Sequence, residues 1–342
     1  TKKKKIIKEK SIYLNKNEIR VGRGLIFHIC PSNVPTNFIY SFFFGLLSGN
    51  SNIVKIPSRN SLQKTILLKV LNTIIKKKKF TKLKKSNLFF EYNHYNNLNI
   101  TKNISSFCAG RVVWGSDNTI NIIREIWKPE RAVELQFSDR YSISIININK
   151  FSKLNSINKT IIGNKFFYDS YSMNQRGCNS PHFIFWIGKK NIKIQNTFWN
   201  NLNNIVDKKF NLKEVEIIDK YLSLLQTTIK EKNLGKLTKY KNNVYVVKPD
   251  KSLYEIENIR GLNGIFFEKN ISNLINLKKF ITKKCQTVSY FGFNKKELKS
   301  FIIKNNLEGI DRIVPIGNSL DIDLNWDGFD IIKSLSRIIS IK

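Results

Sequence analysis

The sequence predicts an α/β fold built on parallel sheet, on three observations. Short apolar runs rich in Ile, Val and Phe alternate with helical stretches along the whole chain. An early segment reads strand, helix, strand, and a parallel strand pair needs such a crossover. A second segment, "AGRVVWGSDNTINIIREIW" (109–127), repeats the strand-to-helix pattern. No repeat of solenoid length appears. The 342 residues, 41% hydrophobic and 12% aromatic, suffice for two or three globular domains.

The elements follow in order. "GLIFHIC" (24–30) is a short apolar strand, and "PSNVPTN" (31–37) a turn rich in Pro, Asn and Ser. "FIYSFFFGLLSG" (38–49) is a buried helix stopped at Gly49. "SNIVKIP" (51–57) is a strand closed by Pro57, and a Lys-rich helix starts at Ser58. Residues 76–105 hold a helix end, a weak strand at "NLFFEY" and loops. "RVVW" is a strand, Gly115 a turn and Ser116 an N-cap. Residues 131–147 give two strands around a polar break at Ser138–Arg140. An amphipathic helix over 151–177 leads to "PHFIFWIG", a strand. Residues 195–235 are helical. "VYVVKP", "GIFFE" and "KCQTVSYFGF" are strands, "KKELKSFIIKNN" a helix, and "GIDRIVPIG" a strand into a turn. The end is helical after Asp327 or Gly328.

Net charge is +34, from 59 basic and 25 acidic residues. A nucleic-acid partner is the naive reading. Yet only 11 of the basic residues are Arg, and the chain is heavy in Lys, Asn and Ile, which share AT-rich codons. Compositional drift accounts for the charge, so nucleic acid is not the expected partner. Against that drift, Arg111, Arg124, Arg131, Arg140, Arg176, Arg312 and Arg337 are candidates for positions that need bidentate or stacked geometry, chance survival on a surface being the other reading. The four cysteines form no CxxC pair and the three histidines are scattered, so neither a zinc site nor a disulfide framework is indicated. A reducing, cytoplasmic setting fits. The longest apolar stretch, Phe38–Leu47, is too short to span a bilayer. The start at Thr1 in a lysine run reads as a truncated beginning.

Four places could carry chemistry. Gly115 and Ser116 join a strand to a helix, where free N–H groups favour a phosphate; an ordinary capped helix looks the same, and there is no GxGxxG. Asn33 follows a strand and could donate to an oxyanion, or simply form the turn. Glu134, in the apolar "AVELQF", is expected to be desolvated with a raised pKa suited to a general base, unless it faces outward. Cys178, in the polar turn "NQRGCNSP", is exposed enough for a nucleophile, against the usual buried cysteine. His182 raises a Cys–His dyad, which Pro181 and the following strand make hard to form locally.

Together "FHICPSNVPTNFIYSFFFGLLSGNSNIVKIPSR", "VVWGSDNTINIIR", "ELQFSDRYS", "CNSPHFIFW", "CQTVSYFG" and "GIDRIVPIGNSLDIDLNWDGFDIIKSLSR" resemble one family. It is the LuxC-type long-chain acyl-CoA (fatty acyl) reductases of bacterial bioluminescence, in the aldehyde dehydrogenase superfamily. The resemblance spans residues 22–337. It implies an aldehyde dehydrogenase-like fold: a Rossmann-type parallel-sheet cofactor domain (1–147), an α/β catalytic domain carrying the nucleophile (148–315), and a tail (316–342) packing on the cofactor domain or an oligomer partner. It implies Cys178 as the acyl-accepting nucleophile, Asn33 as oxyanion donor and Glu134 as the superfamily base. Gly115 and Ser116 would meet the cofactor pyrophosphate, and Lys55, Ser58 and Arg59 its adenosine ribose; where the superfamily's dehydrogenases often carry a lysine just before Pro or Ala, this chain has Ile56, with Lys55 one step earlier. Phe42–Phe44 would be acyl-tunnel lining or core. NADPH, acyl-CoA, acyl-protein synthetase and acyl-transferase subunits, a luciferase receiving the aldehyde, and self-association complete the expectation. Two rivals stay open: a CoA-linked dehydrogenase running oxidatively, and a cysteine acyltransferase or hydrolase using Cys178 with His182.

Overall fold

The computed structural model describes residues 17–31, 33–93, 96–231, 234–250 and 255–342. They form two compact units, one running to Asp139 and including Ile322–Lys342, the other Arg140–Asp321.

The first unit opens with β1 (Glu18–Gly22), β2 (Leu25–Ile29), α1 (Asn37–Leu47) and β3 (Ser51–Lys55). It continues through α2 (Leu62–Ile75), α3 (Thr81–Lys85), β4 (Asn87–Phe90), α4 (Leu98–Ser105), β5 (Gly110–Trp114), α5 (Asp117–Arg124) and β6 (Val133–Phe137). Five strands make one all-parallel sheet in the order β4-β3-β2-β5-β6. Both faces are covered, so the central strands are apolar on both sides: Ile26, Phe27, Val112 and Val113 are fully buried. Phe38, Phe42 and Phe44 of α1 pack on one face, and Ile120 and Ile123 of α5 on the other. Phe42 and Phe44 are core, whereas Phe43 is exposed.

A polar knot sits inside this core. The His28 ring meets Ser41 Oγ at 2.8 Å and Asn52 Oδ1 at 2.9 Å, and Trp114 Nε1 donates to the same serine. Gly45 is required there, because a Cβ would lie 1.8 Å from Asn52 Oδ1.

The second unit begins with β7 (Tyr141–Asn147), α6 (Ile148–Ser152), α7 (Ser156–Tyr171), β8 (Pro181–Ile187), α8 (Ile192–Lys209) and α9 (Glu214–Lys230). Then come β9 (Lys236–Tyr240), β10 (Val244–Lys248), β11 (Ile265–Ile271), β12 (Cys285–Phe291), α10 (Lys295–Lys304) and β13 (Arg312–Pro315). The seven-stranded sheet runs β13-β12-β7-β8-β11-β10-β9, with β9 alone antiparallel to its neighbour. Under it, buried Glu268 accepts the indole N–H groups of Trp186 (2.8 Å) and Trp199 (2.6 Å) and faces Lys248 at 3.0 Å.

Three sequence expectations need correction. The domain boundary falls at Asp139–Arg140, not at 147, because β7 pairs with β8 and β12 and buries both its faces in the second unit's cores. The helical stretch over 195–235 is two helices, broken at 210–213 and ending at Lys230. The C-terminal helix shrinks to four residues. β14 (Asn325–Trp326), β15 (Phe329–Asp330) and α11 (Ile331–Ser334) precede β16 (Ser336–Ser340), which runs antiparallel to β1. The "SRIIS" run is β-branched and finds an open partner strand, which outweighs helical continuity. This segment belongs to the first unit: Trp326, Ile331 and Leu335 enter its core, and Asn50 Nδ2 donates to Leu335 O at 2.8 Å.

Candidate functional site

In the second unit, chemistry concentrates at the N-terminal edge of the sheet. α7 ends at Tyr171, and Asn174 and Gln175 then take left-handed backbone angles (φ 51° and 58°). Such strain in non-glycine residues needs support. Gln175 supplies it: its amide donates to Ile265 O (2.9 Å) and accepts from Gly264 N–H (2.7 Å). The turn so fixed carries half-buried Cys178 just before β8.

Contacts on Cys178 and its neighbour Asn179 hold that turn. Ser142 Oγ, at the start of β7, donates to Cys178 O at 2.6 Å and accepts Thr287 N–H. Asn179 Nδ2 donates to Ser319 O at 2.8 Å. The loop bearing Ser319 is itself gripped by Asp169, which accepts the N–H groups of Gly317 (2.7 Å) and Ser319 (2.9 Å). Finally, Gln286 Nε2 lies 3.2 Å from Cys178 Sγ. Sequence reasoning missed Ser142, Asp169 and Gln286 as site residues. The last sits in "CQTVSYFG", read only as a strand.

Burial separates the cysteines. It pushes the Cys30 and Cys285 thiols up to about 12 and raises that of Cys108. All three are buried, and Cys178 is not. A thiol that cannot ionise is a poor nucleophile.

His182 is buried, its Nδ1 accepts Gly261 N–H at 3.0 Å, and burial with the nearby Arg260 charge holds the ring down to about 3. So weak a base cannot take a thiol proton near neutrality, which counts against the Cys–His dyad. His94 lies outside the described residues.

Buried His28 is likewise held down, by burial, to about 4. A histidine whose folded value lies below its unfolded 6.5 favours the fold above pH 6.5, and that contribution is lost as pH falls. By pH 5 each histidine costs roughly 2 kcal/mol. In the second unit Asp169, raised by burial to about 6, acts oppositely and returns about 1 kcal/mol over the same range. Lowering pH from 7 to 5 is therefore expected to weaken the first unit more than the second. Pulse proteolysis in urea with peptide mapping reads each unit separately; equal midpoint shifts would refute the assignment.

In the first unit the order β4-β3-β2-β5-β6 reverses direction between β2 and β5, and crevices at strand C-terminal ends form at such a point. Asn33 lies in the turn after β2, exposed. Gly115 and Ser116 follow β5. Ser116 Oγ accepts Thr119 N–H as the cap of α5, while a Cβ on Gly115 would stand 2.9 Å from Thr119. After β3, Ser58 donates to Tyr92 O at 3.2 Å, and Ser58 and Arg59 are exposed. Lys55 turns inward: it is buried, its pKa lowered by that burial, with its ammonium over the Tyr92 ring. The topology thus gathers Asn33, Gly115, Ser116, Ser58 and Arg59 at one edge, and leaves Lys55 beneath it.

Glu134 departs from expectation. Its partner across the β5–β6 ladder is Arg111, fully buried. Arg111 Nε donates to Glu134 Oε2 at 2.6 Å, Nη2 pairs with the same oxygen, and Gln136 donates to Oε1. The carboxylate is engaged in an ion pair instead of standing alone in apolar surroundings. Other retained arginines also clamp: Arg124 to Gln136, Arg140 to Lys283 O and Arg312 to Ser319 O and Asp321 O.

Among the described residues no group of three His, Cys, Asp or Glu could hold a metal, and no helix is long and apolar enough to cross a membrane.

A family model described as acyl-CoA reductase (LuxC) matches residues 4–338. No curated protein matches the sequence. Among solved structures, substrate-bound AldH of Staphylococcus aureus is 11% identical with a TM-score of 0.64, covering 95% of this chain and 73% of that one. Glyceraldehyde-3-phosphate dehydrogenase GapN of Methanocaldococcus jannaschii, complexed with NADP, is 15% identical at 0.65, covering 95% and 74%. The NAD-dependent benzaldehyde dehydrogenase of Corynebacterium glutamicum is 11% identical at 0.64, covering 96% and 72%. The shared fold is that of aldehyde dehydrogenases.

Proposed function

Because the chain belongs to the acyl-CoA reductase (LuxC) family, oxidoreductases that reduce fatty acyl groups to aldehyde, we propose that it works through an acyl-cysteine on Cys178 with NADPH as reductant. One observation carries this reading: Cys178 is the single cysteine that is not buried, and its sulfur faces an amide donor.

The first unit suits a dinucleotide. Its strand order reverses between β2 and β5, and Thr36 Oγ1 and Asn37 Oδ1, beside that reversal, are buried with no partner among the described residues. Gly115 and Ser116 would meet the pyrophosphate, and Ser58 and Arg59 the adenosine ribose. Reduced nicotinamide, when bound, supplies hydride. The chain does the rest. Cys178 attacks the thioester carbonyl and the CoA thiolate departs. The Asn33 amide meets the charge on the carbonyl oxygen. Exclusion of water protects the acyl-enzyme from hydrolysis. Collapse of the reduced adduct returns the thiolate of Cys178 and frees the aldehyde. In this reading acyl-protein synthetase and acyl-transferase subunits deliver the acyl group in the cytoplasm, a luciferase consumes the aldehyde, and the chain self-associates.

Incubation with radiolabelled tetradecanoyl-CoA followed by peptide mapping tests the intermediate. Label on the peptide containing Cys178, released on adding NADPH, supports it; no label anywhere, with NADPH still consumed, refutes it.

Cofactor choice rests on Arg59, an exposed guanidinium just beyond β3. A 2′-phosphate there gains a charge-assisted hydrogen bond worth about 1.5–3 kcal/mol. Arg59→Ala is expected to raise the KM for NADPH by roughly tenfold or more and leave that for NADH nearly unchanged. Equal effects on both would remove Arg59 from this role.

A further inference from the structure

We propose that Gln286 is the positioning residue that stabilises the Cys178 thiolate, both when it attacks and when it leaves. The proposal rests on Cys178 as nucleophile and adds how this fold makes its sulfur reactive.

The geometry carries the argument. Gln286 Nε2 lies 3.2 Å from Cys178 Sγ, within hydrogen-bond reach of a sulfur acceptor. The amide comes from the second residue of β12, between β7 and β13 in the sheet. Its backbone is fixed, since Gln286 O accepts Asp311 N–H at 2.9 Å. Its side chain is fully buried, with Oε1 3.4 Å from Thr287 Oγ1. The same strand reaches the nucleophile a second way: Thr287 N–H donates to Ser142 Oγ, which donates to Cys178 O. Two consecutive residues of β12 thus set the sulfur and the carbonyl of one cysteine.

A glutamine suits this place chemically. Its N–H can donate to sulfur, and donation is stronger to a charged acceptor than to a neutral one. It cannot take the thiol proton, so it stabilises the thiolate without acting as a base. The thiolate occurs twice in the cycle. First, Enz–S⁻ with RCO–SCoA gives RCO–S–Enz and CoA–S⁻. Then hydride from reduced nicotinamide adds to the acyl carbon, giving RCH(O⁻)–S–Enz and oxidised nicotinamide. Cleavage of the C–S bond returns RCHO and Enz–S⁻. The Gln286 amide faces the sulfur that carries negative charge at both ends of this sequence, before attack and after release.

The test needs no cofactor. Alkylation of Cys178 by iodoacetamide is followed against pH, with the modified peptide quantified by mass spectrometry. Gln286→Leu removes the donor, and its profile is expected to move up by about one pH unit, a roughly tenfold slower alkylation at fixed pH below the midpoint. Gln286→Glu is nearly isosteric and serves if the leucine variant does not fold. Its carboxylate repels the thiolate, so its profile is expected to move up at least as far. A merely structural glutamine would leave the folded Leu variant at the wild-type midpoint, and an unmoved Glu variant would show that position 286 does not face the sulfur. Unmoved profiles in the folded variants would overturn the proposal. In steady state kcat is expected to fall with KM for acyl-CoA little changed, whereas a rise in KM alone would also count against it. Failure of radiolabelled acyl-CoA to mark Cys178 would sink the acyl-cysteine reading, and the alkylation shift would still report on the amide and the sulfur.

Discussion

Cys178→Ser is expected to fold and to lose acyl-CoA reduction by about 10³-fold or more. The fold should persist because the turn is held by neighbouring groups that the substitution leaves in place. Gln175 ties it to Gly264 and Ile265, Asn179 to Ser319 O, and Ser142 to the backbone carbonyl of residue 178. Gln286 can donate to a hydroxyl as it does to the sulfur. The loss follows from acidity. A serine hydroxyl needs a strong adjacent base, and neither His182 nor Gln286 supplies one: His182 is held down to about 3 and its Nδ1 is occupied, while a glutamine amide accepts no proton. A thiol ionises on its own near neutrality to a useful extent, and a hydroxyl does not. NADPH absorbance with tetradecanoyl-CoA reads the rate, and acyl label on the isolated protein reads the intermediate. Label on Cys30, Cys108 or Cys285 with the variant still active would sink the assignment. Burial, which raises the pKa of all three, makes that outcome hard to reach.

Much of this was legible in the sequence because it is local. The alternation of apolar runs and amphipathic stretches gives the parallel strands, since a strand covered on both faces must be apolar throughout. The polarity of "NQRGCNSP" marks Cys178 as the cysteine outside the core, and a strand followed by Gly-Ser marks the capped start of α5. What could not be read depends on partners far away in the chain. Gln286 lies 108 positions from Cys178, and nothing in "CQTVSYFG" tells which face its amide takes. The terminal strand reads as helix because it continues the helical stretch before it, and its partner, β1, lies 316 positions earlier for the Arg20–Ser336 pair. The boundary at 147 failed for the same reason. "YSISIIN" reads as one more strand after "VELQF", and only the sheet it joins decides which unit owns it. What Glu134 meets is hidden in the sequence because Arg111, its neighbour across the ladder, is 23 positions upstream. The expectation that a retained arginine marks bidentate geometry pointed to Arg111, but not to what it would meet.

That pair gives the other large expected effect. Arg111→Met should destabilise the first unit by about 3–5 kcal/mol, the usual result of removing one member of a buried ion pair. Glu134 would keep only the Gln136 amide, with its side chain 9% exposed and its charge uncompensated. Glu134→Gln should cost somewhat less. The new side chain still offers Arg111 an oxygen, and the guanidinium keeps Ile126 O at 3.0 Å and Ser105 Oγ at 3.3 Å. The double substitution Arg111→Met with Glu134→Leu removes both charges, and apolar side chains of similar size can replace such a pair at little cost. It is therefore expected to be more stable than Arg111→Met alone, with a coupling of about 2–3 kcal/mol. Urea midpoints for the two singles and the double measure the cycle; additive losses would show that the charges do not lean on each other. Acylation separates this from catalysis. Reduction of a thioester needs no activated water, so a carboxylate committed to Arg111 has no essential proton to move. Folded Glu134→Gln should still form acyl-enzyme on Cys178, more slowly at most. Complete loss of acyl-enzyme in that variant, at a urea concentration and temperature where it remains folded, would make Glu134 the group that generates the thiolate and would overturn its assignment as the counter-ion of Arg111.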